Sequence, residues 1–308
     1  MTPKPKAAKA KAAKARPAGT NVSKPTLSPK GRASNPTLSP EGRGQGEGIR
    51  SLTVWQHRVP LRVHVRGRGP AVVFFHGPWG LTWGPFLDAL AQRFTVYAPE
   101  HPGTAAGEPD AIQHVDNLWD LVLCCDEVLA QLGLRDVNLV GHSFGAMVAC
   151  EVAALQPARV KRLVLIDPIG LWRDETPVVN WMLLAPADIP AHVFKNPDGA
   201  AAKALFALPE DPEGAALART RLSWAMGATG KFIWPIPDKG LKKRIHRVTA
   251  STLLVWGADD RLVPRTYAKE FAGRLADSRL EVVAGAGHAP HLEQPEATAR
   301  VVQAFLAG

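Results

Sequence analysis

Short apolar runs, each closed by glycine, proline or a polar cluster, recur along the chain from residue 51 onward. The first two, 51–57 (SLTVWQH) and 61–66 (LRVHVR), alternate apolar and polar positions around Val59-Pro60, which predicts an antiparallel hairpin with one buried face. The next, VVFF at 72–75, is continuously apolar and stops at His76-Gly77, as a strand buried on both faces should. Further strands are predicted at 94–98, 137–140, 160–166, 252–256 and 280–283. Between them the period changes. Leu118, Leu121, Val122, Cys125, Val128, Leu129 and Leu132 recur at helical spacing, so a helix is expected over 116–132, stopped by Gly133. Residues 144–156 are almost wholly apolar up to Pro157 and predict a buried helix. Strand alternating with helix implies an α/β fold, a mostly parallel sheet with helices on both faces.

One stretch breaks the alternation. No convincing strand lies between Ile166 and Thr252, a span rich in proline and in tryptophan (Trp172, Trp181, Trp224, Trp234), with several short helical runs. A connection that long needs structure of its own, so residues 171–246 are expected to form an inserted helical cap over the sheet. The core is then split into 49–170 and 247–308.

Charge changes the picture only at the N-terminus. The net charge of +9 is carried by residues 1–50, where eleven Lys/Arg face Glu41 and Glu47; the rest of the chain is balanced, with 26 of each sign. Residues 1–48 are dominated by Lys, Ala, Pro, Gly and Ser, and 25–33 (PTLSPKGRA) is nearly repeated at 36–44 (PTLSPEGRG). This segment reads as a disordered, solvated basic tail, with a weak polyanion contact as the alternative. Three cysteines, Cys124, Cys125 and Cys150, all fall inside apolar helical patterns, which suits small core residues in a reducing compartment rather than a disulfide framework. No apolar stretch approaches the roughly 18 residues of a membrane span, and no apolar segment follows the basic N-terminus, so a cytoplasmic protein is expected.

The chemistry begins at Asn138–Gly145 (NLVGHSFG), a G-x-S-x-G directly after a short apolar strand and directly before a helix. A serine on so sharp a turn needs neighbours without Cβ atoms, hence Gly141 and Gly145. The turn would lift Ser143 Oγ clear of the sheet and aim the Phe144 N–H, at the helix N-terminus, towards a developing oxyanion. Two later segments follow predicted strands: WGADDRLVP at 256–264 and GAGHAPHLEQPE at 285–296. Ser143, Asp260 and His288 therefore fall at the carboxyl ends of parallel strands, which converge on one edge of a sheet.

His76-Gly77, GHSFG, WGADDRLVP and GAGHAPHLEQPE together resemble the α/β-hydrolase family over nearly all of residues 50–308. The likeness is strongest to its bacterial branch of meta-cleavage-product hydrolases, enol-lactone hydrolases and small esterases. The resemblance implies Ser143 as nucleophile, His288 (over His291) as base and Asp260 (over Asp259) as the acid that orients it. His76, Gly77, Trp83 and His142 are expected to line the substrate site, with the tryptophans near the cleft (Trp79, Trp83) suiting an apolar substrate. Asp167 lies where some relatives carry an acid, and a structural role is expected for it. His142 beside the serine, and His64 and His114 elsewhere, show no partner pattern and need not be catalytic.

Two positions depart from the family pattern. The residue after His-Gly, which should supply the second oxyanion N–H, is Pro78, which has none; Trp79 N–H is the expected replacement. At 99–107 (PEHPGTAAG) Glu100 and the spacing to Gly107 are unusual, so this wall of the pocket should be shaped differently. The sequence thus predicts a serine hydrolase for a small, apolar ester, lactone or related carbonyl compound. Cleavage of a C–C bond and weak catalysis by a ligand-binding member of the fold are the alternatives. No cofactor is expected, since the triad makes its own nucleophile, and no Cys/His grouping has metal-ligand spacing.

Overall fold

The computed structural model describes residues 47–105 and 108–308. Residues 1–46 of the tail read at 1–48, and Ala106 and Gly107 of the 99–107 segment, lie outside the described residues. Eight strands form one sheet: β1 (Gly48–Val54), β2 (Val59–Arg66), β3 (Ala71–Phe75), β4 (Thr95–Pro99), β5 (Val137–His142), β6 (Val160–Ile166), β7 (Ser251–Gly257) and β8 (Ser278–Val283). Their spatial order is β1-β2-β4-β3-β5-β6-β7-β8, with β2 antiparallel to both neighbours and every later pair parallel. The hairpin is present, but its turn is Trp55-Gln56-His57, all at positive φ, and Val59-Pro60 opens β2 instead.

The helices that cover the sheet are α1 (Pro85–Ala91), α2 (Leu118–Gln131), α3 (Phe144–Leu155), α7 (Thr266–Ala272), α8 (Pro290–Glu293) and α9 (Pro295–Ala307); the numbers between belong to the segment joining β6 to β7. Successive strand residues serve two cores. Val73, Phe75, Leu139, Leu163, Leu165, Leu254 and Trp256 pack with the buried faces of α2 and α3. Val72, Phe74, Val140, Val164, Ile166, Leu253 and Val255 pack with α1 and α9. Alternate residues of a strand point to opposite faces, so a continuously apolar run is what a sheet covered on both sides requires. α2 starts at Asn117, whose side chain accepts from the N–H groups of Trp119 and Asp120, and stops before Gly133 at φ 68°.

The segment between β6 and β7 contains α4 (Ile189–Val193), α5 (Ala200–Phe206) and α6 (Pro212–Ile233), with short 3-10 turns and no strand. Helix α6 is 22 residues long, far longer than the short runs the sequence suggested. Asp211 caps it through the Gly214 N–H, and Pro212 occupies its first turn. Glu151 of α3 is 1% exposed and is held by both ends of the Arg244 guanidinium, at 2.7 and 2.6 Å, which ties this segment to the core. Cys124, Cys125 and Cys150 are free and buried, with burial raising all three thiol pKa values. Among the described residues no helix is long and apolar enough to cross a membrane.

Candidate active site

Strand β5 ends at His142, and the chain turns into α3 through Ser143 at φ 53°, ψ −113°. A non-glycine residue in that region carries strain of order 1–3 kcal/mol, so its surroundings must enforce it. Ser143 N–H donates to the Ile166 carbonyl (2.9 Å). A Cβ on Gly145 would drive into the carbonyl oxygens of Phe75 and His76, and one on Gly141 into Gly145 and Ala146. Both glycines of the motif are therefore required by close backbone approach. Phe144 opens α3, so its N–H has no carbonyl one turn back to bond.

Two loops reach Ser143 from the far end of the chain. After β7, Asp260 Oδ1 accepts from the N–H groups of Leu262 and Val263 (2.8 and 2.9 Å), which turns its other oxygen inward. After β8, His288 Nδ1 lies 2.8 Å from that Asp260 Oδ2, and its Nε2 lies 2.8 Å from Ser143 Oγ. A carboxylate only accepts, so Nδ1 carries the proton and Nε2 presents its lone pair to the serine hydroxyl. All three side chains are fully buried. The neighbouring candidates go elsewhere: Asp259 pairs with Lys195 (3.0 Å), and His291 packs against the rings of Phe74, Phe86 and His142.

The His288 loop is pinned from several sides. Its own N–H donates to Val193 O of α4 (2.7 Å), and its carbonyl accepts from His142 Nε2 (2.7 Å). Glu293 accepts from the backbone N–H groups of Gly287 (2.6 Å), Lys195 and Asn196 (both 3.2 Å), joining this loop to the segment after α4. Nothing in the spacing of Glu293 announces that role.

His76 Nε2 accepts the His101 N–H (3.0 Å), so its Nδ1 carries the proton and donates to Gly77 O (2.7 Å). Burial lowers its pKa to about 4 and that of His291 to about 3, and drives His101 and His142 well below the usual value. These four imidazoles are neutral.

His76, Gly77, His142 and Trp79 do meet, around a crevice of about 10 Å³ shared with Leu205 and His291, large enough for little more than one water. Trp83, expected beside them, faces away. Its indole N–H donates to Asp88 (2.7 Å) and its ring lies under the Arg66 guanidinium (4.7 Å), on the side of the sheet that carries α1. A larger cavity, about 620 Å³, is also bordered by Trp79 and is lined by Thr104, Leu205, Leu217 and Trp224 among others. Trp79 itself packs edge-on against Trp181 and Phe206, and Phe232 of α6 stacks on Phe144.

Glu100 is explained by its neighbours. Arg62 and His64, one pleat apart on β2, both reach it, at 2.9 and 2.7 Å. The partner missing for His64 in the sequence is thus a carboxylate 36 residues away. Asp167, Asp260 and His288 have the chemistry of metal ligands and gather within 4.8 Å. His288 already donates at one nitrogen and accepts at the other, which leaves no imidazole lone pair for an ion.

Residues 72–301 match the Alpha/beta hydrolase family. The pimeloyl-(acyl-carrier protein) methyl ester esterase of Aromatoleum aromaticum is 30% identical over 78% of this chain and 99% of its own length. Among solved structures, a membrane phospholipase A superposes with a TM-score of 0.67 at 23% identity, covering 85% of this chain and 86% of that one. The 2-hydroxy-6-oxo-6-phenylhexa-2,4-dienoate hydrolase of Rhodococcus sp. strain RHA1 superposes with a TM-score of 0.64 at 20% identity, covering 85% and 100%. These last two likenesses are of fold.

Proposed function

Because this chain belongs to the alpha/beta hydrolase family, we propose that it is a serine hydrolase in which Ser143, His288 and Asp260 cleave a small, apolar carboxylic ester or lactone. The observation that carries the reading is the unbroken relay from Ser143 Oγ through His288 to Asp260, 2.8 Å at each step. His288 Nε2 takes the hydroxyl proton as Oγ attacks the carbonyl carbon, and Asp260 stabilises the imidazolium. The oxyanion faces the Phe144 N–H. With Pro78 unable to donate, the Trp79 N–H is its second donor. His288 then protonates the departing alcohol, and water releases the acyl group from Ser143 by the reverse sequence.

The segment between β6 and β7 acts as a cap in this reading. Its aromatic side chains enclose Trp79 and Phe144, and the 620 Å³ cavity lined by Leu205, Leu217 and Trp224 holds the apolar part of the substrate. Ser143 is fully buried, so substrate entry requires side chains over it to move.

The test is a series of p-nitrophenyl esters from acetate to decanoate, with wild type against Ser143→Ala. Hydrolysis that drops by about a millionfold in the variant supports the serine nucleophile. Equal activity in both proteins overturns it. Failure of both on every ester, with Ser143 still labelled by a fluorophosphonate, would point to a lactone or C–C substrate in place of simple esters.

A further inference from the structure

One buried carboxyl in the site has no part in that scheme. Asp167 follows β6 directly, at φ 43°, a left-handed conformation for a side chain that is fully buried. Its N–H donates to Val255 O (2.9 Å) and its Oδ1 accepts from the Gly257 N–H (3.0 Å), across the ends of β6 and β7. Its Oδ2 is buried with no hydrogen-bond partner. An amide or a hydroxyl could meet Gly257 as well, so that bond alone does not account for a carboxyl here.

What surrounds the idle oxygen does. Asp167, Asp260 and His288 each present an atom within 4.8 Å of the other two. Two carboxyls so close in a dry site do not both ionise. Burial pushes the Asp167 carboxyl well above the usual range and the charge of Asp260 pushes it further, with the Gly257 N–H opposing; Glu293 is the remaining acid that acts on it. Asp167 is therefore the neutral member, with an O–H to give. Asp260 has room for it, because Oδ1 takes two backbone N–H groups while Oδ2 takes only His288.

We propose that Asp167 is a positioning residue of the site, its Oδ2 hydroxyl turning to donate to Asp260 Oδ2 and so fixing the carboxylate that receives the His288 Nδ1 proton. The same placement makes it a reserve. When Asp260 carries no charge, Asp167 ionises and faces His288 in its place. This inference rests on the serine-hydrolase reading above.

The experiment compares kcat and KM on the best p-nitrophenyl ester for wild type, Asp167→Asn, Asp167→Leu, Asp260→Asn and the Asp167→Asn/Asp260→Asn double variant, with folding checked by circular dichroism. In the wild-type background an asparagine keeps both an acceptor for Gly257 and a donor for Asp260, so kcat should stay within about threefold. Leucine removes the donor and should lower kcat by about tenfold or more at unchanged KM. In the Asp260→Asn background the amide cannot ionise, and there Asp167→Asn should cost at least about tenfold more than it does in wild type. Equal fold-losses in the two backgrounds, full kcat in a folded Asp167→Leu protein, or an Asp260→Asn enzyme no better than Ser143→Ala would each overturn the proposal. Should the leucine variant not fold, the asparagine cycle decides. Ester cleavage that survives Ser143→Ala would instead overturn the serine reading itself.

Discussion

His142 Nε2 donates to the backbone carbonyl of His288 across 2.7 Å, joining the residue before Ser143 to the residue whose ring faces the Ser143 hydroxyl. A carbonyl only accepts, so the His142 proton sits on Nε2 and Nδ1 is left bare. That bare nitrogen lies against Gly77, where a Cβ would come within 2.6 Å of it. Burial, with His291 and His288 adding to it, keeps the ring neutral. The contact explains why a histidine that could not be paired in the sequence is enclosed beside the serine. It holds the His288 loop at its carbonyl while Asp260 holds the ring.

Replacing His142 with phenylalanine should therefore keep the packing and lose the donor. A buried carbonyl left without a partner costs about 1–3 kcal/mol, to be read from urea unfolding. With His288 less well placed, kcat should fall by about tenfold while KM changes little. Undiminished kcat in a folded His142→Phe protein would show that the bond does not position the His288 ring.

Glu293 supports the same loop from the other side through Gly287, Lys195 and Asn196. Glu293→Ala leaves three backbone donors without their carboxylate, and a loss of about 2 kcal/mol or more is expected. Amide exchange should quicken in the 285–289 loop and around residues 193–196 together. Faster exchange in only one of them would mean that Glu293 does not couple the two.

Acid should destabilise this protein before it reaches the carboxylates. His76 and His291 are held near 4 and 3, and His101 and His142 well below their ordinary value, whereas each titrates near 6.5 in the unfolded chain. Above pH 6.5 neither state takes a proton at these groups, and they contribute no pH dependence. Between 6.5 and about 4 the unfolded chain binds protons that the folded chain refuses, so stability falls as pH falls, by about 1.4 kcal/mol per pH unit for each histidine. Urea unfolding at pH 7, 6 and 5 should show this slope, and His291→Phe should remove about one histidine's share of it. A flat profile across that range would contradict neutral burial.

Arg244→Leu should be among the more damaging substitutions far from the serine. It strands Glu151, 1% exposed, without its counter-ion, while Arg244 keeps 31% of its side chain in solvent. Breaking a buried pair typically costs about 3–5 kcal/mol, and the partial access of water places the expectation near the lower end. The double variant Arg244→Leu/Glu151→Leu should recover much of that loss. No recovery would mean that Arg244 acts through its bond to the Lys239 carbonyl instead.

Period and turn chemistry are local properties, and they were legible. The apolar runs inside β3, β6 and β7 (72–75, 163–166 and 253–256) report burial on both faces. Gly141, Ser143 and Gly145 report a turn that only glycine neighbours allow. The positions of Ser143, Asp260 and His288 after β5, β7 and β8 were legible for the same reason. Between adjacent alternatives, only the family resemblance chooses. Asp259 and Asp260 share one turn, and so nearly do His288 and His291; the family motif alone prefers Asp260 and His288, and apolar period and turn chemistry do not separate them. The structure does, because the N–H groups of Leu262 and Val263 rotate Asp260 inward while Lys195 draws Asp259 out. Arg62 and His64 meeting Glu100, His142 meeting His288, and Asp167 meeting Asp260 likewise depend on which strands become neighbours. A strand order of 1-2-4-3-5-6-7-8 brings together residues tens to more than a hundred positions apart, and hydrogen bonds of about 3 Å form only after that order is set. The amino-acid pattern determined the elements and the turn that carries the serine. The tertiary structure decided which carboxylates and imidazoles face one another, because that is settled by contact in space and leaves no period in the chain.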